Sequence, residues 1–199
     1  MDIVVSNLSK KYNDKIVLNN FSNIFKDKSI SFITGASGVG KTTLIRILMG
    51  LEKADRGEII GISDKKISAV FQDDSLCENI SVLLNIKLVC ESISNVQIEK
   101  LLEQVGLEGC IYKRVRELSG GMKRRVAILR ALLYDFDLLI MDEPFKGLDK
   151  ETKYKVMDFV ISKINNKSVI IITHDIDDIE YFKEHNGLEI NCINNLEMA

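Results

Sequence analysis

The 199-residue sequence has no tryptophan and a single proline, Pro144. It has no Pro-rich linker, internal repeat or low-complexity tail. At about 150 residues per domain, the length predicts one domain with room for a small inserted lobe. Long apolar runs are missing too. Crossing a bilayer takes about 18 such residues, and the stretches around 80–90 and 169–172 are interrupted or short. Met1-Asp2-Ile3-Val4-Val5 lacks the basic segment that precedes the apolar part of a secretory signal. No charge excess exists either: 27 basic against 29 acidic side chains leave a formal charge of −2. Non-specific nucleic-acid binding needs a cationic surface to displace counterions, so that class is disfavoured, although a local basic patch is compatible with the balance. The four cysteines (Cys77, Cys90, Cys110 and Cys192) form no C-x-x-C pair, and His174 and His185 are the only histidines. Neither a zinc site nor a disulfide framework is expected, and reduced thiols fit the cytosol.

What is present is a globular balance of 46% hydrophobic and 28% charged residues, which argues against disorder and coiled coil. β-Branched residues around Asn13-Asp14 predict a hairpin from Ile3–Leu8 and Lys15–Leu18. Ser29–Thr34, Gly57–Gly61 and Lys66–Phe71 read as strands, and Lys41–Met49 as a helix stopped by Gly50. From about Glu78 to Gly109 the apolar spacing turns helical, and a further helix is expected over Ser119–Leu133. Then follow a strand at Leu138–Met141, a helix over about Lys150–Ile164 and a strand at Ser168–Ile172. A helix over about Asp175–Lys183 and a short strand near Leu188–Ile193 close the pattern. Leu138–Met141 and Val169–Ile172 are continuous rather than alternating apolar runs, the mark of strands covered on both faces. The expected fold is therefore α/β: a mainly parallel sheet between helices, an N-terminal antiparallel β subdomain, and a helical subdomain inserted over about 76–133.

Gly35-Ala36-Ser37-Gly38-Val39-Gly40-Lys41-Thr42-Thr43 fits G-x-x-x-x-G-K-[ST], a pattern that arises by chance in about 1% of chains this long. It also lies between an expected strand and an expected helix. Glycines let successive N–H groups point inward at phosphate oxygens, and the helix adds its positive end. Lys41 reaches the β/γ-phosphates and Thr42 offers a hydroxyl to Mg²⁺. Leu138–Met141 runs into Asp142-Glu143-Pro144. Ligands of open α/β sheets sit at the carboxyl ends of strands, so Asp142 should lie beside the phosphate loop as a Mg²⁺ ligand. Glu143, one residue on, can polarise the attacking water. Pro144 ends the strand.

These residues resemble the nucleotide-binding subunit of ATP-binding-cassette (ABC) transporters, with a P-loop NTPase core, along almost the whole chain. Leu118-Ser119-Gly120-Gly121-Met122 is similar to that family's L-S-G-G-Q signature. Ser119, the Gly120-Gly121 amides and a helix N-terminus would make a second anion cradle. Two cradles suit a homodimer in which each subunit's signature closes over the other's ATP. The following Lys123-Arg124-Arg125 reads as a solvated helix face rather than as a phosphate contact. The resemblance further implies that Tyr12 stacks on adenine and that Gln72 contacts Mg²⁺ and the attacking water. Gly147-Leu148-Asp149 resembles the loop that crosses the dimer interface, which puts Asp149 among the nucleotide-site residues. His174 resembles the histidine that holds the γ-phosphate. His185 matches nothing and is expected on the surface.

Two positions depart from the family pattern. Met122 replaces the usual glutamine and cannot donate a hydrogen bond, and Lys146-Gly147 stands where small residues such as Ser-Ala are common. The chain ends soon after His174, so no appended regulatory domain is expected. The resemblance implies a Mg²⁺-dependent ATPase that binds ATP, pairs with a second copy of itself and drives a separate permease from the cytoplasmic face of the membrane. A substrate-binding protein is a further candidate partner, and nucleic acid is not expected as one. A short stand-alone cassette is similar to bacterial importers. Three other readings stay open: a non-transport cassette that regulates or scaffolds a membrane complex, a nucleic-acid-dependent ATPase, and a small-metabolite phosphotransferase, which would leave Leu118–Met122 unexplained.

Overall fold

In the computed structural model, which describes residues 1–194, the continuous apolar runs are buried strands. β1 (Ile3–Tyr12), β2 (Lys15–Phe25), β3 (Ile30–Ile33), α1 (Lys41–Leu48), β4 (Arg56–Ile60) and β5 (Ile67–Val70) come first. α2 (Val82–Lys87), α3 (Asn95–Gln104), a 3₁₀ turn at Val115–Glu117 and α4 (Gly120–Leu133) follow. β6 (Leu138–Asp142), α5 (Lys150–Lys163), β7 (Ser168–Ile172), α6 (Ile176–His185) and β8 (Ile190–Ile193) complete the order. A five-stranded sheet runs β5-β6-β7-β3-β8, and a three-stranded sheet runs β2-β1-β4. All pairings in the first are parallel and both in the second are antiparallel. The expected architecture is the observed one.

Every residue of β3, β6 and β7 is buried. Successive side chains of a strand point to opposite faces, and the two apolar clusters divide along that alternation. Phe32, Leu139, Met141, Val169 and Ile171 join the apolar faces of α2–α6. Ile33, Leu138, Ile140, Ile170 and Ile172 join α1 and the antiparallel sheet. A strand that serves two layers has no exposed position left for a polar residue, which is why the sequence pattern loses its alternation there.

The helical stretch is more broken than the spacing alone suggests. Ser81 and Ser94 each accept a hydrogen bond from the backbone three residues on, starting α2 and α3 separately, and Gln97 completes a capping box with Ser94. Lys123-Arg124-Arg125 is not a solvated face. Arg124 is only 8% exposed. Arg125 donates to the carbonyls of Val105, Gly106 and Gly121, and Lys123 pairs with Glu78. Charge in a run of sequence gave no sign that the ends of neighbouring segments would present their carbonyls there. All four cysteines are free thiols, and His185 is exposed, stacked on Tyr181.

Register sets the active edge. Ile172 pairs with both Asp142 and Ile33, and Val70 pairs with Met141. The segments that leave β3, β5, β6 and β7 therefore emerge side by side, carrying the phosphate loop, Gln72, Glu143 and His174. Phe182 of α6 is fully buried and meets Phe32 of β3 edge-on at 5.6 Å between ring centroids. Phe182→Ala should cost about 3–5 kcal/mol, read as a lower urea midpoint with an unchanged slope.

Candidate functional site

The N-termini of α2 to α6 are each closed by a Ser or Asp side chain that accepts from its own helix. α1 is not. Its N-cap is Gly40, which has no side chain, so its first-turn donors stay free to face a ligand. Gly40 also adopts φ +97, and a Cβ there would stand 2.5 Å from the Val17 carbonyl oxygen. Only glycine allows β2 to pass so close beneath the phosphate loop.

A cavity of about 230 Å³ opens over this helix end. The expected residues that line it are Ser37, Gly38, Gly40, Lys41, Thr42, Thr43, Gln72, Asp142 and Glu143. Gly35 lies in the same loop and lines the adjoining cavity with His174. The Lys41 ammonium donates to the carbonyls of Gly35 at 2.7 Å and Ala36 at 2.8 Å, folded over its own loop. The Thr42 hydroxyl donates to Asp142 at 2.9 Å. Asp142 is 3% exposed, and burial pushes its carboxyl above the usual range although the Thr42 hydroxyl opposes the shift. A desolvated carboxylate beside a hydroxyl is an oxygen donor pair that fits a hard divalent cation. Among the described residues no group of three or more His, Cys, Asp or Glu is placed to hold a metal ion. One carboxylate with one hydroxyl is a set that fits Mg²⁺, which takes one or two protein carboxylates and fills its remaining positions with phosphate and water.

Glu143 turns the chain out of β6 in the left-handed region, at φ +50. A non-glycine residue there costs on the order of 1–2 kcal/mol. Its N–H is held by the Ile172 carbonyl at 2.9 Å. His174 Nδ1–H donates to the Glu143 carboxylate at 2.8 Å while the ring is largely exposed. The two line a separate cavity of about 190 Å³, and Glu143 also lines the phosphate cavity. Thr173, Asp175 and Asp178 frame that histidine: Thr173 donates to Asp178 at 2.7 Å, and the Asp175 N–H donates to Thr173. Lys153 of α5 reaches both acids at 2.5 Å. Burial works against its ammonium, yet hydrogen bonds to Asp175 and Asp178 hold its pKa above the ordinary lysine value.

Other expected residues lie apart from this cavity. Ser119 caps α4, accepting from the Met122 N–H at 3.3 Å, and exposed Gly120 and half-buried Gly121 begin that helix's first turn. Met122, lacking the glutamine amide, packs against the apolar core. Gly121 faces Leu148, so the signature turn and the Gly147-Leu148-Asp149 loop meet in one patch. Asp149 accepts from the Thr152 N–H at 3.0 Å and caps α5. Tyr12 ends β1, 43% exposed, with the Lys10 ammonium 5.2 Å from its ring centre. Val17 and Lys146 line the phosphate cavity and were not expected there. Only the departure at Lys146-Gly147 marked the second position, and no pattern marked the first.

A protein-family model described as ABC transporter matches residues 18–146. A sulfate/thiosulfate import ATP-binding protein of Mesostigma viride is 34% identical over 192 residues, covering 88% of this chain and 55% of its own length. A phosphonates import ATP-binding protein of Fusobacterium nucleatum is 34% identical over 214 residues, covering 92% of this chain and 86% of its own. The chain thus spans about half of the first relative and most of the second. Among solved structures, a dimeric bacterial ABC transporter cassette superposes with a TM-score of 0.80 at 27% identity, covering 96% of this chain and 94% of that one.

The burial of Asp142 carries a stability consequence. A carboxyl raised above its unfolded value imposes no cost below the unfolded pKa and its full cost above the folded one. At pH 7 Asp142→Asn should therefore raise the melting temperature of the ligand-free protein by a few degrees. The gain should vanish as pH falls below the carboxylate range, and added Mg²⁺ should no longer shift melting in the presence of nucleotide.

Proposed function

The chain belongs to the ABC transporter ATP-binding cassette family, and on that premise we propose that it is a Mg²⁺-dependent ATPase acting as a nucleotide-sandwiched homodimer to power a separate membrane permease. What carries the reading is the meeting of Lys41, Thr42, Asp142 and Glu143 at one cavity above an uncapped helix. A phosphotransferase would need the same cradle but has no use for the second, exposed one at Ser119-Gly120-Gly121.

The loop amides and Lys41 bind the triphosphate, with the ammonium exchanging the Gly35 and Ala36 carbonyls for β/γ oxygens. Thr42 and Asp142 would hold Mg²⁺, with Gln72 beside them, and the ion when bound neutralises charge on the β/γ-phosphate oxygens. Glu143 accepts a proton from the attacking water, and His174, now on Glu143, turns to the γ-phosphate. This is positioning and electrostatics, with no covalent intermediate. Tyr12 stacks on adenine. Ser119, Gly120 and Gly121 of one subunit close over the γ-phosphate of the other, and the Gly147–Asp149 loop, packed on Gly121, crosses with them. Two ATP molecules thus bridge the subunits, and hydrolysis removes the bridge.

No helix among the described residues is long and apolar enough to cross a membrane, and in this reading the permease is a separate polypeptide. The segment after Gln72 and the lobe over about 76–133, within one cassette domain, would meet it. Exposed Leu84, Leu88 and Tyr112 on that lobe fit such a contact. The cassette would then work at the cytoplasmic face of the membrane, and the import role named for both relatives favours uptake, with a substrate-binding protein outside.

Glu143→Gln should bind ATP normally, lose at least about a hundredfold in turnover, and elute from a sizing column as an ATP-dependent dimer. Normal hydrolysis by this variant would remove Glu143 from its role. Ser119→Arg should retain binding of a fluorescent ATP analogue by single subunits yet lose about a hundredfold in hydrolysis. An unchanged rate would refute the shared site.

A further inference from the structure

Gln72 lies two residues beyond the end of β5, where the sheet no longer holds the chain and no helix begins until α2. The backbone there is held from α4. Arg124 donates through Nη1 to the Phe71 carbonyl and through Nη2 to the Gln72 carbonyl, each at 2.5 Å. Its Nε stands 3.2 Å from Asp74, as an ion-pair contact. Burial pushes the Asp74 carboxyl up and Arg124 pulls it down, so the guanidinium is its compensating charge. Further along the same segment Arg130 donates to the Ser75 carbonyl, and Lys123 pairs with Glu78. A planar fork can satisfy two successive carbonyls at once, whereas a lysine ammonium offers a single point of charge.

The helix that carries Arg124 starts at the second cradle. Ser119 is its N-cap, and five residues along an α-helix rise about 7.5 Å. One rigid rod therefore bears the cradle at its tip and grips the Gln72 backbone one and a half turns further in. We propose that Arg124 is a positioning residue for Gln72, fixing the backbone from which that side chain reaches the phosphate cavity and tying its place to that of Ser119. The inference rests on the ATPase reading above, in which Gln72 serves hydrolysis. It explains why Arg124, alone of the basic run after the signature, is buried, which phosphate contact or solvation would not require.

The test is a double-mutant cycle on the full-length chain, with Arg124→Met, Arg124→Lys, Gln72→Ala and the combinations. Arg124→Lys retains the charge and guards against loss of folding in Arg124→Met, and melting curves identify which variants fold. In folded Arg124 variants kcat for ATP should fall by about tenfold while KM moves less than about twofold. In the Gln72→Ala background the same substitutions should change kcat by less than about twofold, because what they position is gone. Independently of activity, amide hydrogen exchange in the ligand-free protein should quicken over residues 71–76 and stay unchanged over Lys41–Leu48. Multiplicative effects of the Arg124 and Gln72 substitutions, or unaltered exchange over 71–76, would overturn the positioning role. Wild-type turnover in Gln72→Ala would instead remove Gln72 from the hydrolytic site, a separate failure.

Discussion

The hydrogen bond from Thr42 to Asp142 joins the first turn of α1 to the last residue of β6, a hundred residues on in the chain. Around it the site is assembled from four loops that leave adjacent strands at the same edge. Parallel pairing is what makes this arrangement available: with every strand pointing the same way, each carboxyl end delivers its loop to one side. Had β6 slipped by a single residue against β7, Asp142 and Glu143 would exchange faces, and the division of work proposed for them would be lost. Both strands are apolar on both sides, and the two different layers they face, helices on one side and α1 with the antiparallel sheet on the other, pin that register.

Charge is arranged so that the ligand-free protein is imperfectly satisfied. Lys41 lies over carbonyls that are weaker partners than phosphate, Asp142 is a carboxylate with a hydroxyl where a cation would serve it better, and Glu143 sits in left-handed backbone. Each is a local cost that the rest of the fold must sustain, and in the proposed function each is relieved or used when a polyphosphate and a divalent ion bind. Around His174 the opposite holds. Lys153, Asp175, Asp178 and Thr173 satisfy one another through α5 and α6, so the histidine sits on a rigid frame while its largely exposed ring hydrogen-bonds Glu143.

α4 joins the two halves of the reading. Its tip, capped by its own Ser119, presents Ser119 and Gly120 outward, and its arginines hold backbone carbonyls of the segments around it. Arg125 closes the end of the preceding helix at Val105 and Gly106, and Arg124 holds Phe71 and Gln72. A helix built only to expose a cradle would need no such grip.

The phosphate loop, Asp142-Glu143 and the succession of strands and helices around them were legible in the residues, because glycine spacing, carboxylates at a strand end and uninterrupted apolar runs follow directly from backbone geometry and burial. Ser119 and His174 were legible only through resemblance to a family, since a lone serine or histidine carries no spacing of its own. The roles of Val17 and Arg124 were not legible at all. Val17 matters because Gly40 lets another strand pass within contact distance, and Arg124 because chain ends distant in sequence turn their carbonyls to one point. Local pattern determined which segments would be helices, strands and the phosphate cradle. Tertiary structure alone decided which buried cation would face which carbonyl, because that depends on how whole elements pack and not on any residue's neighbours along the chain.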